Sequence, residues 1–452
     1  MKDNYYLLSL GCPKNEVDSE TMSALLKAEG FHFTSDPRQA RFLIVNTCAF
    51  IQPAVEEAIE AILDLAQVKA DHEDRFLVVV GCLAQRYKGD IVNEIPEVDA
   101  ILGTGEYGRI TDLLKDLAAG RDMSHQCPGR PGNVAYLDVK RRPSAPAGTY
   151  AYLKIAEGCS NACAYCAIPR LRGPQVSRRP EAILEEARYL VSLGVKELIL
   201  VAQDSSRYGW DLEGAPSLAG LIRSISREVE GLELIRCLYL YADAISPELI
   251  QEMASNPLVA PYIDLPIQHA SDRILERMRR HETIGVIRDK IHAIRQAMPQ
   301  VILRSTVMTG FPGETEADFQ ALLDFVKEIR FDRLGCFAFW PEEGTLAASL
   351  PHQIPAALAQ ERRGLIMEAQ RPIALEANQK RLGQVTRVLI EGIEPRGILF
   401  QGRSYGEAPD IDPLINVAAS SPDLVIGSRP AVRILEAGPY ELTGVSIDEH
   451  SQ

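Results

Sequence analysis

The chain reads as an α/β protein in three parts: an N-terminal parallel α/β domain, a central partial (β/α)6 barrel and a small antiparallel β-barrel at the C-terminus. Three observations predict this. Apolar runs alternate with helical stretches from Tyr5 to Ala118, the alternation resumes six times from Tyr150, and beyond Arg381 it gives way to short strands broken by Gly, Pro and Asp. Continuous apolar strands separated by helices mark a parallel sheet covered on both faces, and closely spaced short strands mark a small barrel.

In the first part, Tyr5–Leu10 is a strand and Glu16–Glu29 a helix stopped by Gly30. Phe42–Val45 is a second strand. Pro53–Val68 is a helix with Pro at its start and Glu56 and Glu57 in its first turn. Phe76–Val80 and the run near Leu102 are further strands, and the helix Glu106–Ala118 closes the series. Residues 127–149, rich in Pro and Gly with a Lys-Arg-Arg run, read as a linker between a domain at 1–126 and a barrel at 150–371. Barrel strands are expected at 151–155, 198–202, 235–241, 262–267, 301–309 and 333–340. Six units are fewer than the eight of a closed barrel. A long amphipathic helix at about 356–381 leads into the last domain, 372–452.

Composition narrows the function. With 452 residues, 46% hydrophobic and 24% charged, the chain suits a soluble globular protein. Its start resembles no export signal, and no stretch approaches the roughly 18 apolar residues of a membrane span, so a cytoplasmic location is expected. Nine cysteines are too few, and an odd number, for a disulfide framework; in a reducing compartment they point to metal or catalysis. The net charge is −14, and residues 385–452 carry five basic against ten acidic side chains. No region has the basic footprint of a nucleic-acid binder.

Cys159, Cys163 and Cys166 form a Cys-x3-Cys-x2-Cys run directly after a barrel strand, where such barrels hold their active sites. A structural zinc would want a fourth Cys or His, and the nearest histidine in sequence is His125. Three thiolates on a four-iron, four-sulfur cluster leave one iron open. With Tyr165 just before the last cysteine, the run resembles the signature of the radical S-adenosylmethionine (SAM) superfamily. The resemblance implies that SAM chelates the open iron and is cleaved reductively to a 5′-deoxyadenosyl radical. It also implies a SAM pocket built from Tyr165, from Gln203 and Asp204 at the methionyl end, and from the segment Gly310, Pro312 and Gly313 along the adenosine. Strand alternation puts Arg304, Thr306 and Met308 on one face, so Arg304 is either a carboxylate binder or half of a structural ion pair.

Cys12, Cys48 and Cys82 stand far apart in sequence, and each alone would suit a buried core. Each, however, follows the end of one of the first three parallel strands, and in such a sheet those ends share one edge, where ligands bind. Gly11 and Gly81 precede two of them and permit tight backbone there. Three thiolates at that edge could hold a second cluster. The segments "LGCPKNEVDSE", "NTCAF", "VVGCLAQRY", "YLKIAEGC" and "GFPGET" resemble, in sequence and order, the methylthiotransferases, which join a three-cysteine domain, a radical SAM barrel and a TRAM barrel. Cys127, Cys237 and Cys336 match no ligand of that family, and the last two sit in apolar strands.

The family divides between tRNA adenosines and an aspartate of small-subunit ribosomal protein twelve. "SLGCPKN", "IDLPIQHAS" around His269 and "GRSYGEAPDID" resemble the protein-modifying branch. The acidic tail agrees, since Glu407, Asp410 and Asp412 in one loop would repel RNA and suit a basic protein, although solvated acids would look the same. The resemblance implies two four-iron clusters, SAM, a low-potential donor such as flavodoxin or ferredoxin, and methylthiolation at the aspartate β-carbon. No acid–base residue is expected. The two clusters must lie close together, so the first domain should fold back over the barrel mouth. A cluster-bearing sensor without chemistry is the alternative of another class.

Overall fold

The structure is a computed structural model that describes residues 3–87, 89–123, 129, 131–132, 134–140, 149–420 and 424–447. Cys127 and the Arg141–Arg142 pair of the basic run lie outside the described residues. In the first domain, β1 (Asn4–Ser9), β2 (His32–Phe33), β3 (Phe42–Thr47), β4 (Phe76–Gly81) and β5 (Ala100–Leu102) form one parallel sheet in the order β2-β1-β3-β4-β5. Helices α1 (Pro13–Ala28), α2 (Gln52–Ala70), α3 (Cys82–Tyr87), α4 (Gly89–Glu94) and α5 (Ile110–Ala118) cover it. Along β3 and β4, Leu43, Val45, Leu77 and Val79 pack with residues of α2 such as Ile62, while Phe42, Ile44, Val78 and Val80 pack with Val17 of α1 and Leu114 of α5. The period-two alternation thus fills two cores from one apolar run. The strand order reverses between β1 and β3, and a crevice opens outside the strand ends at such a switch point.

The barrel strands are β6 (Tyr150–Lys154), β9 (Glu197–Val201), β10 (Leu234–Cys237), β11 (Tyr262–Asp264), β12 (Ile302–Thr309) and β13 (Arg333–Ala338), with a short antiparallel pair, β7 (Ala156–Glu157) and β8 (Val176–Ser177), at the mouth. Two parallel triplets, β6-β9-β10 and β11-β12-β13, are joined where Ala260 N donates to Ile235 O (2.8 Å) and Leu240 N to Asp264 O (2.9 Å). Helices α6 (Ile168–Arg172), α7 (Pro180–Ser192), α8 (Leu218–Glu228), α9 (Pro247–Ser255), α10 (Asp272–Arg277), α11 (Ile284–Ala297) and α12 (Glu316–Ile329) lie between them. Leu153, Leu198, Leu200, Ile235, Cys237 and Cys336 face the helices, so both of these cysteines are core. Tyr152, Ile199, Val201 and Tyr262 face the other way and share a core with Val17, Met22 and Tyr107. The first domain therefore packs along the inner face of the open barrel, with α1 beside β6.

Helix α13 (Ala356–Gln379) runs unbroken past the expected domain boundary at 371/372 and packs against α12 and β13. The last domain contains β14 (Val385–Arg387), β15 (Leu389–Ile393), β16 (Phe400–Arg403), β17 (Ile415–Ala418), β18 (Ala431–Ala437) and β19 (Leu442–Ile447), ordered β14-β18-β19-β17-β16-β15. It closes where Gly427 N donates to Ile390 O (2.8 Å) and Ile390 N to Ser428 O (2.9 Å). One pair, β17 with β19, is parallel rather than antiparallel, because the chain crosses to β18 before returning alongside β17.

The acidic loop of this domain forms the expected free surface only in part: Asp410 is exposed, but Asp412 is half-buried and Glu407 is not at the surface. Glu407 is fully buried and paired with Arg381, and Ser404 Oγ donates to it (2.6 Å). Asp410 accepts from Tyr152 Oη (2.8 Å) and Tyr150 Oη (3.1 Å), and Asp412 from Tyr262 Oη (2.6 Å). Arg236 Nη1 donates to Tyr405 O (2.8 Å). The loop thus caps the ends of the barrel strands opposite the cysteine loop. A carboxylate buried here needs a partner, and the barrel's tyrosines and the arginines supply one.

Candidate active site

The loop after β6 gathers Cys159, Cys163 and Cys166. Gly158, at φ +74°, makes the turn; a Cβ there would stand 2.1 Å from Pro174 O, so no other residue fits. Cys159 N donates to Gly173 O (3.0 Å) and Ala164 N to Met278 O (2.9 Å), which pins the loop to both sides of the mouth. Asn161 Nδ2 donates to Asp204 Oδ2 (2.8 Å). Burial pushes the Cys159 thiol up to about 11 and Cys166 to about 12, against the pull of main-chain N–H groups of Asn161 and Ile168, and the three sulfurs repel one another's charge.

The second trio also meets. Cys12 precedes α1, Cys48 follows β3 and Cys82 opens α3 at the end of β4. At Gly11, φ +93°, a Cβ would stand 2.6 Å from Cys48 Cβ, and at Gly81, φ +95°, 2.5 Å from Asn46 Oδ1. These two glycines let the three turns nest against one another. Burial pushes Cys82 up to about 12, moderated by Arg172 and reinforced by Cys48 and Cys12. At Cys12 burial acts in the same direction, but Lys14, Arg172 and two main-chain N–H groups outweigh it and hold the thiol below its ordinary value.

Among the described residues, no three His, Cys, Asp or Glu side chains converge as they would on a single ion. A polynuclear cluster takes each thiolate at a different iron, so the residues that would hold one need not converge on a single point. The donor set fits as well. Each trio offers three thiols, and main-chain N–H groups point at Cys12, Cys48, Cys159 and Cys166.

Between the trios lies a buried ionic network that sequence reasoning missed. Arg172 Nη1 contacts Asp18 Oδ2 (3.1 Å) and Glu157 Oε2 (2.8 Å), Lys154 Nζ contacts Glu157 Oε2 (2.7 Å) and Asp18, and Tyr136 Oη donates to Asp18 Oδ1 (2.8 Å). Arg172 also bonds Asn15 Oδ1 and lies beside Cys82. Burial opposes ionisation of Glu157, yet Arg172 and Lys154 hold it well below the usual carboxylate range. Lys154 and Glu157 interrupting an apolar strand was the available signal.

The expected SAM residues have mixed surroundings. Tyr165 lies beside Cys163 and Cys166, and burial raises its phenol. Gln203 Nε2 donates to Glu157 Oε1 (2.9 Å), while its buried Oε1 has no partner among the described residues and is free to accept. Asp204 is occupied by Asn161, Ser206 and Arg207. Arg304 pairs with Asp264 at 2.6 Å, the structural alternative. A Cβ on Gly310 would stand 2.2 Å from Ala359 Cβ, so that glycine admits α13 rather than a ligand. Gly313 faces the Arg277 guanidinium, whose Nε donates to Pro312 O (3.1 Å). The first turn of α12 is already capped by Thr315 and Asp318, which leaves its end no need of an anion. Two residues missed from sequence stand nearer the cysteines: Arg280, stacked 4.3 Å from the Tyr241 ring centre, and Tyr241, beside Cys163 and Cys159. His269 is buried against Glu314 (3.2 Å).

Three family descriptions match the chain: "Uncharacterized protein family UPF0004" over residues 4–103, "Radical SAM superfamily" over 153–326 and "TRAM domain" over 382–447. Among curated relatives, ribosomal protein uS12 methylthiotransferase RimO of Acetivibrio thermocellus is 45% identical over 100% of both chains. RimO of Geobacter sulfurreducens is 45% identical over 99% of both. Among solved structures, the radical SAM methyltransferase TsrM of Kitasatospora setae, with cobalamin and a [4Fe-4S] cluster bound, is 13% identical with a TM-score of 0.58. That match covers 86% of this chain and 81% of that one. The cobalamin-dependent radical SAM enzyme OxsB gives 0.52 at 13% identity, covering 81% and 56%. These two likenesses are of fold alone. Among the described residues no helix is long and apolar enough to cross a membrane.

Proposed function

This chain belongs to the RimO family of radical SAM methylthiotransferases, and from that membership we infer that it places a methylthio group on the β-carbon of an aspartate in ribosomal protein uS12. The chain uses SAM and iron–sulfur chemistry, as its family does. In the proposed arrangement Cys159, Cys163 and Cys166 hold one four-iron cluster and Cys12, Cys48 and Cys82 a second. When bound, these groups and SAM supply what no side chain can, one-electron chemistry able to break an unactivated C–H bond and a methylated sulfur to install. The observation that carries the reading is the meeting of two cysteine trios on either side of one buried network, with Arg172 touching both Cys82 and Glu157.

The chain's own residues then have defined tasks. Glu157 orders Gln203, whose free carbonyl is placed to accept from SAM's amine. Asn161 and Asp204 fix the cysteine loop, and Tyr165, Tyr241 and Arg280 wall it from water. The first domain, packed along the inner barrel face, closes the space in which an unpaired electron would otherwise be quenched. A low-potential donor, a flavodoxin or ferredoxin, completes the electron supply, and a ribosomal substrate puts the reaction in the cytoplasm. The acidic composition of the last domain gives it no grip on tRNA phosphates. The reconstituted protein should bind about eight irons in two clusters. Replacing Cys12, Cys48 and Cys82 by Ala should remove about half of them and abolish modification of uS12, read by mass spectrometry alongside tRNA from the same cells. Full iron retention sinks the second cluster, and modified tRNA with untouched uS12 sinks the substrate.

A further inference from the structure

Lys14 stands on the first turn of α1, two residues after Cys12, and is only 8% exposed. Its Nζ lies 3.4 Å from the centre of the Tyr239 ring. Tyr239 and Tyr241 follow β10 and face different trios: Tyr241 lies beside Cys163 and Cys159, Tyr239 beside Lys14 and Cys12. Lys14 therefore projects where the second trio meets the barrel mouth. Neighbouring cations are matched there: Lys154 and Arg172 by Asp18 and Glu157, Arg304 by Asp264, and Arg280 by Glu282. Among the described residues, the Lys14 side chain has no hydrogen bond and no carboxylate partner; it faces the Tyr239 ring and lies near the Cys12 sulfur. Unlike the neighbouring cations, this buried ammonium has no carboxylate of its own.

We propose that Lys14 receives the carboxylate of the aspartate that is modified, a role that rests on the substrate reading above. Two carboxylates reach this region, the substrate's and that of SAM. Lys14 sits beside Cys12 rather than beside Cys159, on the side from which sulfur is delivered, and this assigns it the substrate's. In aspartate the carboxyl carbon is bonded directly to the β-carbon. A cation that holds the carboxylate therefore fixes the reacting carbon within one bond. The single charge also selects an acidic side chain over its amide, because asparagine would leave the ammonium buried without a carboxylate.

The test titrates full-length wild type, K14M and K14R with dye-labelled uS12 and with uS12 carrying asparagine at the target position, read by fluorescence anisotropy. Iron is assayed in each protein, and a K14M that has lost iron is compared with iron-free wild type, so that the preference is read at equal iron. Wild type should bind the aspartate form roughly tenfold or more tightly than the asparagine form. K14M should bind the two alike, and K14R should recover part of the preference. An undiminished preference in K14M overturns the proposal and leaves Lys14 a counter-charge to the thiolates. Loss of SAM affinity in K14M with the aspartate preference intact assigns the carboxylate to SAM and also overturns it. Wild type that binds neither form of uS12 removes the substrate reading itself, a failure told apart because it does not depend on Lys14.

Discussion

Arg172 shows most directly how single residues join the two cysteine sites. Its guanidinium faces Asp18 and Glu157, and Lys154 completes a set of two cations and two anions with no access to water. Removing one cation leaves an anion buried without compensation, which costs about 3–5 kcal/mol. Arg172→Met should therefore lower the unfolding free energy of the iron-free chain, measured by urea titration, by that amount, and Arg172→Lys by less, since a lysine keeps the charge but not the fork. An unfolding free energy within about 0.5 kcal/mol of wild type, the range of an ordinary surface change, would mean that the network is open to solvent. Neither Arg172 nor Asp18 carries a recognisable signal in the sequence. Their partners lie 154 positions apart, and burial of such a pair is set only when α1 docks on β6.

Among the elements, α13 and the turn after β12 interlock. Gly310 has φ +75° and a Cβ position 2.2 Å from that of Ala359. Gly310→Ala should destabilise the fold by about 1–3 kcal/mol through overpacking and the left-handed backbone. Ala359→Gly in the same chain should restore part of that loss, because it removes the atom that is struck. Equal unfolding temperatures for the single and double variants would show that α13 does not press on the turn. The element boundaries themselves were largely legible. All six barrel strands stand within a few residues of their expected places, because apolar runs between helices leave little alternative. The exceptions have local causes. Helix α1 starts at Pro13, three residues early, since Cys12 and Pro13 begin the turn, and α5 starts at Ile110 after a 3-10 turn over Tyr107–Arg109.

For the whole molecule, the loop 403–412 ties the last domain to the barrel. Burial alone would raise the Glu407 carboxyl, but Arg381, Arg333 and Ser404 hold it down at about 2. A carboxyl depressed in the folded state adds stability that is complete above its unfolded value near 4.5 and is lost as pH falls toward 2. Glu407→Gln should therefore be less stable than wild type at pH 7, by about 3 kcal/mol on that shift. The difference should shrink between about pH 5 and 2, as measured by thermal unfolding across that range. A constant difference at every pH would show that packing, and not charge, is what the substitution removes.

The sequence by itself determined the three-part order of the chain, the parallel sheets and both cysteine trios. Each of these depends on local pattern: apolar runs of strand length, helix stops, and cysteines at the ends of parallel strands, which topology alone brings to one edge. Only the tertiary structure decided which charges are free. Glu407, Asp410 and Asp412 read as one solvent-facing acidic patch, but only Asp410 is exposed; Glu407 is buried on Arg381 and Asp412 is half-buried on Tyr262, whereas Lys14, one charge among many in the sequence, is buried against a ring with no carboxylate beside it. Whether a charged side chain is solvated, paired or left for a ligand depends on what packs over it, and here those neighbours come from other domains of the fold.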